Sequence, residues 1–212
     1  MLLKKEREAV LMYSKKLLSA GLVKGSGGNI SLCNPEKTMM GVTPSGVGYD
    51  IMKLEDVVVT DLNGRKIEGD LEPTSEIAFH LALQNLRPEI HAVVHTHSDY
   101  ATALACLGWE LPAIHYLIGF AGKKVSVVPY ATYGTQELSD NICSVMCESN
   151  AVLIANHGPV CVGPSLEMAF TTAEMLEYVS RLYLLSKSVG EPVILDDHQM
   201  DEVMEKFKNY GQ

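Results

Sequence analysis

The sequence predicts a single α/β domain, residues 1–212, built on a mixed sheet with helices packed against it. Three observations carry this reading. Short β-rich runs alternate with longer stretches whose apolar residues recur at helical spacing. One run, Ala151-Val152-Leu153-Ile154-Ala155, is apolar at every position and is expected at the centre of the sheet. No internal repeat, low-complexity tract or linker interrupts the alternation.

The elements follow in order. Ala9, Val10, Tyr13, Leu17 and Leu18 mark a helix over 5–20, which Gly21 ends. A glycine-rich loop, Lys24 to Asn29, opens into a short strand through Leu32. Residues 38–43 form a second strand, closed by the turn Thr43-Pro44-Ser45-Gly46. Val57 to Thr60 is a strand, and Asp61-Leu62-Asn63-Gly64 signals a hairpin turn. Pro73 and Thr74 open a helix over 75–86, with Thr74 as N-cap. Strands are expected at 92–97, 125–128 and 151–155. Helices are expected at 136–148 behind Thr135, from Ser165 to Ser188, and over 198–208.

The bulk properties narrow the function. A hydrophobic fraction of 47% and a charged fraction of 20% are those of a globular protein. A net charge of −9 argues against nucleic acid as the main partner, since a phosphate backbone needs clustered cations. A small phosphorylated ligand remains compatible, because N–H groups and hydroxyls can hold one phosphate. The five cysteines include no Cys-x-x-Cys, so buried thiols in a reducing cytosol are expected. Neither a secretory leader nor a membrane span is expected.

The histidines carry the main chemical signal. His95 and His97, two apart on a strand, point to one face with backbones roughly 6.5–7 Å apart, so their imidazoles can meet at one ion. His157 follows the apolar strand directly, inside Asn156-His157-Gly158, where the glycine permits a tight turn. Three imidazoles without thiolate suit a catalytic zinc with an exchangeable position. His91 shares the parity of His95 and His97, so parity alone does not choose the third ligand. But His91 lies before the strand proper and reads as an ordinary surface histidine, which leaves His157 as the best candidate. His80 and His198 read as structural or exposed, and His115 is open on spacing.

Glu76 falls in the first turn of its helix, where the dipole favours a carboxylate. It reads either as an ordinary capping glutamate or as a catalytic base placed at a rigid element end. The loops at Gly25–Asn29, Thr43–Gly46 and Thr74–Ser75 offer N–H groups and hydroxyls to an anion. The glycine loop follows a helix rather than a strand, so it is not a dinucleotide fingerprint.

Seven ordered stretches resemble the class II aldolase family, which includes L-fuculose-1-phosphate aldolase and L-ribulose-5-phosphate 4-epimerase. They are Gly28-Asn29-Ile30-Ser31, Thr43-Pro44-Ser45-Gly46, Pro73-Thr74-Ser75-Glu76, Val94-His95-Thr96-His97, Ala113-Ile114-His115-Tyr116, Pro129 to Thr135, and Asn156-His157-Gly158. The closing run Lys206 to Gly211 is similar as well. The resemblance implies a three-layer α/β/α fold with a mixed central sheet, assembled as a homotetramer with active sites at subunit interfaces. It implies one Zn2+ per subunit held by His95, His97 and His157, with Glu76 moving between metal ligand and catalytic base. Asn29, Ser45, Gly46, Thr74 and Ser75 match phosphate-holding residues, and Tyr116 matches a proton donor that reaches a neighbour's site. The implied reaction is cytoplasmic, reversible cleavage of L-fuculose 1-phosphate to dihydroxyacetone phosphate and L-lactaldehyde through a metal-stabilised enediolate. Tyr133 stands where the fuculose-phosphate branch carries phenylalanine, which keeps an aromatic wall but opens the aldehyde preference to change. The alternatives are the 4-epimerase, whose branch has aspartate at Glu76, a methylthioribulose-1-phosphate dehydratase, and a non-catalytic sugar-phosphate binding module.

Overall fold

The structure, a computed structural model, describes residues 1–207. From position 208 on, the closing motif Lys206 to Gly211 lies outside the described residues. The strands are β1 (Asn29–Cys33), β2 (Met39–Val42), β3 (Val58–Asp61), β4 (Lys66–Glu68), β5 (Ala92–His95), β6 (Val127–Val128), β7 (Ala151–Ile154) and β8 (Gly158–Gly163). They form one sheet in the order β4-β3-β2-β1-β5-β8-β7-β6. The pairs are antiparallel except β6 with β7, which is parallel, so the sheet is mixed as expected. The apolar strand β7 is not central: it is next to the edge, beside the two-residue β6. Its uniform burial comes from helices on both faces rather than from a central place in the sheet.

The helices are α1 (Lys4–Ser19), α2 (Ile77–Leu86), α3 (Asp99–Leu107), α4 (Gln136–Val145), α5 (Leu166–Lys187) and α6 (Asp197–Phe207). Strand side chains alternate between faces, and the two faces have separate cores. Ile30, Ala92, Val94, Leu153 and Cys161 pack with Val10, Leu104, Phe170 and Leu176 from α1, α3 and α5. Val93, Val152, Ile154 and Val160 pack with Phe79, Leu83, Leu138 and Ile142 from α2 and α4. This is the expected three-layer α/β/α arrangement. The same alternation decides where chemistry sits: Asn29, Ser31 and His95 share parity with the face under α2.

Local signals account for several boundaries. Gly21, with φ 71°, closes α1: Leu22 N donates to Leu17 O at 3.0 Å and Gly21 N to Leu18 O at 3.1 Å, a Schellman pair. The side chains of Thr135 and Ser165 cap α4 and α5, accepting from Leu138 N and Met168 N. α3 and β8 had no sequence expectation. α3 is short, and its first amides are capped from a distance: Tyr100 N and Ala101 N donate to Glu177 of α5. β8 contains Pro159 between glycine-bounded ends, a composition that argues against a strand until neighbours pair with it. The expectation of buried thiols holds for Cys33 and Cys161 but not for Cys106 and Cys147, which are exposed, and all five are free. No helix among the described residues is long and apolar enough to cross a membrane.

Candidate metal centre

His95 closes β5 and is fully buried. Its Nδ1 lies 2.9 Å from the carbonyl oxygen of Pro159 in β8. A carbonyl only accepts, so Nδ1 carries the proton and Nε2 presents a lone pair to the cluster. The strand ends there, two residues earlier than expected. His97 is held outside it, its N–H donating to Leu22 O at 3.1 Å, directly after the turn that closes α1. His157 occupies the three-residue loop joining β7 to β8, where Ile154 pairs with Gly158. The left-handed residue of that loop is Asn156, with φ 57°, rather than the glycine. Gly158 is required for space instead: a Cβ there would lie 2.4 Å from Thr96 O and 3.2 Å from His97 Cδ2.

The three rings converge. One nitrogen from each lies within 4.8 Å of the others, and His95 Nε2 is 3.0 Å from His97 Nε2. Glu76 stands beside them, Oε2 at 3.4 Å from His95 Nε2 and Oε1 at 3.6 Å from His157 Nε2. Glu76 is buried, and its Oε1 has no hydrogen-bond partner. A buried carboxylate oxygen without a partner is costly. Lone pairs gathered beside an unpaired carboxylate form a donor set that a divalent cation satisfies, and imidazole with carboxylate and no thiolate suits zinc and its first-row neighbours. Burial, and then the neighbouring His97 and His157, holds His95 well below the usual imidazole range. Burial and His157 lower His97, opposed in part by Glu76. Both shifts favour the neutral imidazole, which is the ligating form.

The remaining histidines separate clearly. His91 precedes β5, and its carbonyl accepts from the Gln84 side chain, apart from the cluster. His115 caps the 3-10 turn Tyr116–Phe120 by accepting from Leu117 N. His198 is exposed on α6. His80 is the residue the sequence undervalued. It is fully buried under α2, with Nε2 at 2.6 Å from Asn29 Oδ1 and Nδ1 at 2.8 Å from Ser31 Oγ. Burial pushes its pKa down to about 3, with Glu76 opposing and His95 adding to the shift. Its position four residues after Glu76, one helical turn on, was the available signal.

Thr74 does not cap the helix as expected, and Glu76 is not in its first turn. α2 begins at Ile77 and Glu76 is its N-cap residue, its N–H donating to Thr74 Oγ1 at 3.3 Å. The reason is tertiary: Pro73 bridges Pro44, and Thr74 N donates to Thr43 O at 3.0 Å, which keeps this segment extended. The two anion-loop candidates are thereby tied side by side, with Ser45 N on Glu72 O at 3.0 Å. Ser45, Gly46 and Ser75 are exposed, whereas Asn29 and Thr74 are buried. The turn carrying Tyr133 packs on Ser75, since a Cβ on Gly134 would lie 2.8 Å from Ser75 O. Asn29 Nδ2 donates to Glu76 Oε2 at 2.8 Å. Tyr116 is exposed; its ring contacts are to His115 and Phe207, not to the histidine cluster.

Gly28 wedges the glycine loop against this centre. Its φ is +72°, and a Cβ would lie 2.5 Å from His95 O and 2.7 Å from Val23 Cγ1. Its carbonyl also accepts from the buried Tyr49 hydroxyl at 2.8 Å. Gly28→Ala is expected to combine overpacking of about 1–3 kcal/mol with about 1–2 kcal/mol for a left-handed residue that carries a Cβ. Thermal melting of metal-free protein measures this, and an unchanged melting temperature would remove the close approach.

Residues 8–184 match the family described as Class II Aldolase and Adducin N-terminal domain. A 5-deoxy-D-ribulose 1-phosphate aldolase of Bacillus thuringiensis serovar kurstaki is 48% identical over 212 residues, covering all of both chains. An L-fuculose phosphate aldolase of Escherichia coli K12 is 38% identical over 193 residues, 90% of this chain and 88% of its own. A solved structure of an L-fuculose 1-phosphate aldolase superposes with a TM-score of 0.94 at 45% identity, covering 96% of each chain. The cluster of three imidazoles beside a buried carboxylate is thus set in a scaffold shared from end to end, and the chain belongs to the class II aldolase family, a family of metal-dependent enzymes.

Proposed function

We propose that the protein is a zinc-dependent aldolase that cleaves a methyl-terminated ketose 1-phosphate into dihydroxyacetone phosphate and a short aldehyde. The observation that carries this is the unpartnered Oε1 of Glu76 beside the three histidines: a sugar-phosphate binding module needs neither a base nor an ion there. The relative matched over its whole length favours 5-deoxy-D-ribulose 1-phosphate, whose cleavage between C3 and C4 releases acetaldehyde. L-Fuculose 1-phosphate, releasing L-lactaldehyde, is the second reading, supported by the Escherichia coli relative and the superposed structure and weakened by Tyr133.

The chain's residues take these roles. His95, His97 and His157, with Glu76 as an exchangeable fourth ligand, would hold the ion. A bound divalent ion supplies Lewis-acid stabilisation of the charge that develops on the ketose oxygens when the carbon–carbon bond breaks. Protonated Glu76 returns a proton to the carbon left behind on cleavage, and its carboxylate removes that proton in the addition direction. Ser45, Gly46, Thr74 and Ser75 orient the phosphate, and Asn29 contributes its second amide hydrogen, the first being on Glu76. Tyr116 exchanges the proton on the C4 oxygen in a neighbouring subunit's site, donating it to the aldehyde oxygen in the addition direction. Its 47% exposure leaves it accessible to a neighbouring subunit, in keeping with the proposed homotetramer. Five free thiols fit a reducing cytoplasm.

Assay of 5-deoxy-D-ribulose 1-phosphate, L-fuculose 1-phosphate, L-rhamnulose 1-phosphate and L-ribulose 5-phosphate side by side tests this. Cleavage of the first at the highest kcat/KM is expected, with activity lost after chelation and dialysis and restored by Zn2+. Epimerisation of L-ribulose 5-phosphate alone would overturn the aldolase reading, and full activity in excess chelator would remove the metal.

A further inference from the structure

His80 has no part in ligating the ion, yet it is buried within the group that supports Glu76. Its bonds have a fixed direction. Glu76 Oε2, as a carboxylate, only accepts, so the Asn29 amide must turn its NH2 toward it at 2.8 Å. Asn29 Oδ1 then faces His80 Nε2 at 2.6 Å, and that nitrogen must carry the proton. A neutral imidazole has one N–H, so Nδ1 is left to accept from the Ser31 hydroxyl at 2.8 Å. The opposite tautomer would set two lone pairs against each other at 2.6 Å, and a flipped Asn29 would set its oxygen against the carboxylate.

We propose that Ser31, His80 and Asn29 form a one-way donor relay in which His80 is a positioning residue for Glu76. Asn29 Oδ1 fixes the His80 tautomer, the Ser31 hydroxyl donates to the lone pair left on Nδ1, His80 locks the Asn29 amide, and Asn29 holds Oε2. Oε2 is thereby pinned while Oε1 stays without a partner and faces His157. One oxygen is anchored by the protein and the other is left to the chemistry. The anchor is rigid at both ends. Asn29 and Ser31 share one face of β1, and Asn29 stands directly opposite His95 in the sheet register. His80 stacks on Phe79, with ring centroids 4.6 Å apart, and Phe79 in turn meets the His95 ring edge-on at 5.7 Å. Support of this kind commonly contributes 10–100-fold to activity at metal sites. The inference rests on Glu76 acting as base for its catalytic consequence, but its geometry stands without that role.

Two amide variants isolate the relay. The glutamine amide nitrogen reaches the place of imidazole Nε2, so His80→Gln keeps a donor to Asn29. The asparagine amide reaches only the place of Nδ1, so His80→Asn keeps the Ser31 contact and loses that donor. His80→Asn is expected to lower kcat by roughly 10–100-fold, with KM and metal content near wild type, while His80→Gln stays within several-fold of wild type. Equal losses in both variants, or none in either, would overturn the relay. Imidazole 15N NMR of the metal-free wild type gives a readout independent of turnover. With His80 assigned by comparison with His80→Gln, Nε2 is expected protonated and Nδ1 unprotonated; the reverse tautomer would also overturn it. Should the wild type cleave no ketose phosphate, the functional reading fails, and the NMR still decides the relay.

Discussion

Glu76→Gln is expected to lower kcat by about 10²–10⁴-fold, the range lost when a positioned acid–base group is removed. The variant keeps the shape of the side chain, and the Asn29 amide can still donate to the glutamine carbonyl where it now donates to Oε2 at 2.8 Å. What disappears is the capacity to carry a proton and the charge of the unpartnered Oε1. KM for the ketose phosphate is expected to change little, because the hydroxyls and N–H groups of the anion loops are untouched. Metal analysis after dialysis should find the ion retained by the three histidines. A kcat within threefold of wild type would remove Glu76 from proton transfer. Complete loss of the ion would make it a required ligand in place of a base.

His157→Ala is expected to abolish metal retention and to lower activity by about 10³-fold or more, equivalent to roughly 4 kcal/mol of transition-state stabilisation. His157 is the cleanest ligand to remove. It sits in a loop, and its hairpin is held by the β7–β8 register rather than by the ring. His95 would be a poorer choice: it is fully buried, anchors Pro159 O and packs on Phe79, so its loss confounds folding with binding. The control is thermal melting. Wild type should gain stability with added Zn2+, as any ligand selective for the native state requires. His157→Ala should melt like metal-free wild type and gain nothing. A variant that keeps both ion and activity would exclude His157 as a ligand.

The legible and illegible parts of the site differ for a physical reason. His95 and His157 were readable because each follows an apolar strand, and a strand end is visible in local composition. His97 was readable as a residue but not in its setting, because the β5 strand stops at His95 and a carbonyl after α1 takes over. The helix start at Ile77 was misread because Thr74 looks like a cap in isolation, whereas Thr43 holds it in an extended segment. α3 was missed because its capping carboxylate, Glu177, lies 77 positions beyond Tyr100.

By itself the sequence determined the fold class, the three imidazoles, the candidate base and the family pattern. All of these are written in residue type, order and local period. Only the tertiary structure decided that β7 lies beside an edge, that α2 starts at Ile77, and that His80 belongs to the site. Those outcomes depend on which strands become neighbours and in what register. Asn29 opposite His95, with α2 laid over that face, brings together groups more than 45 positions apart, whose proximity no local period records.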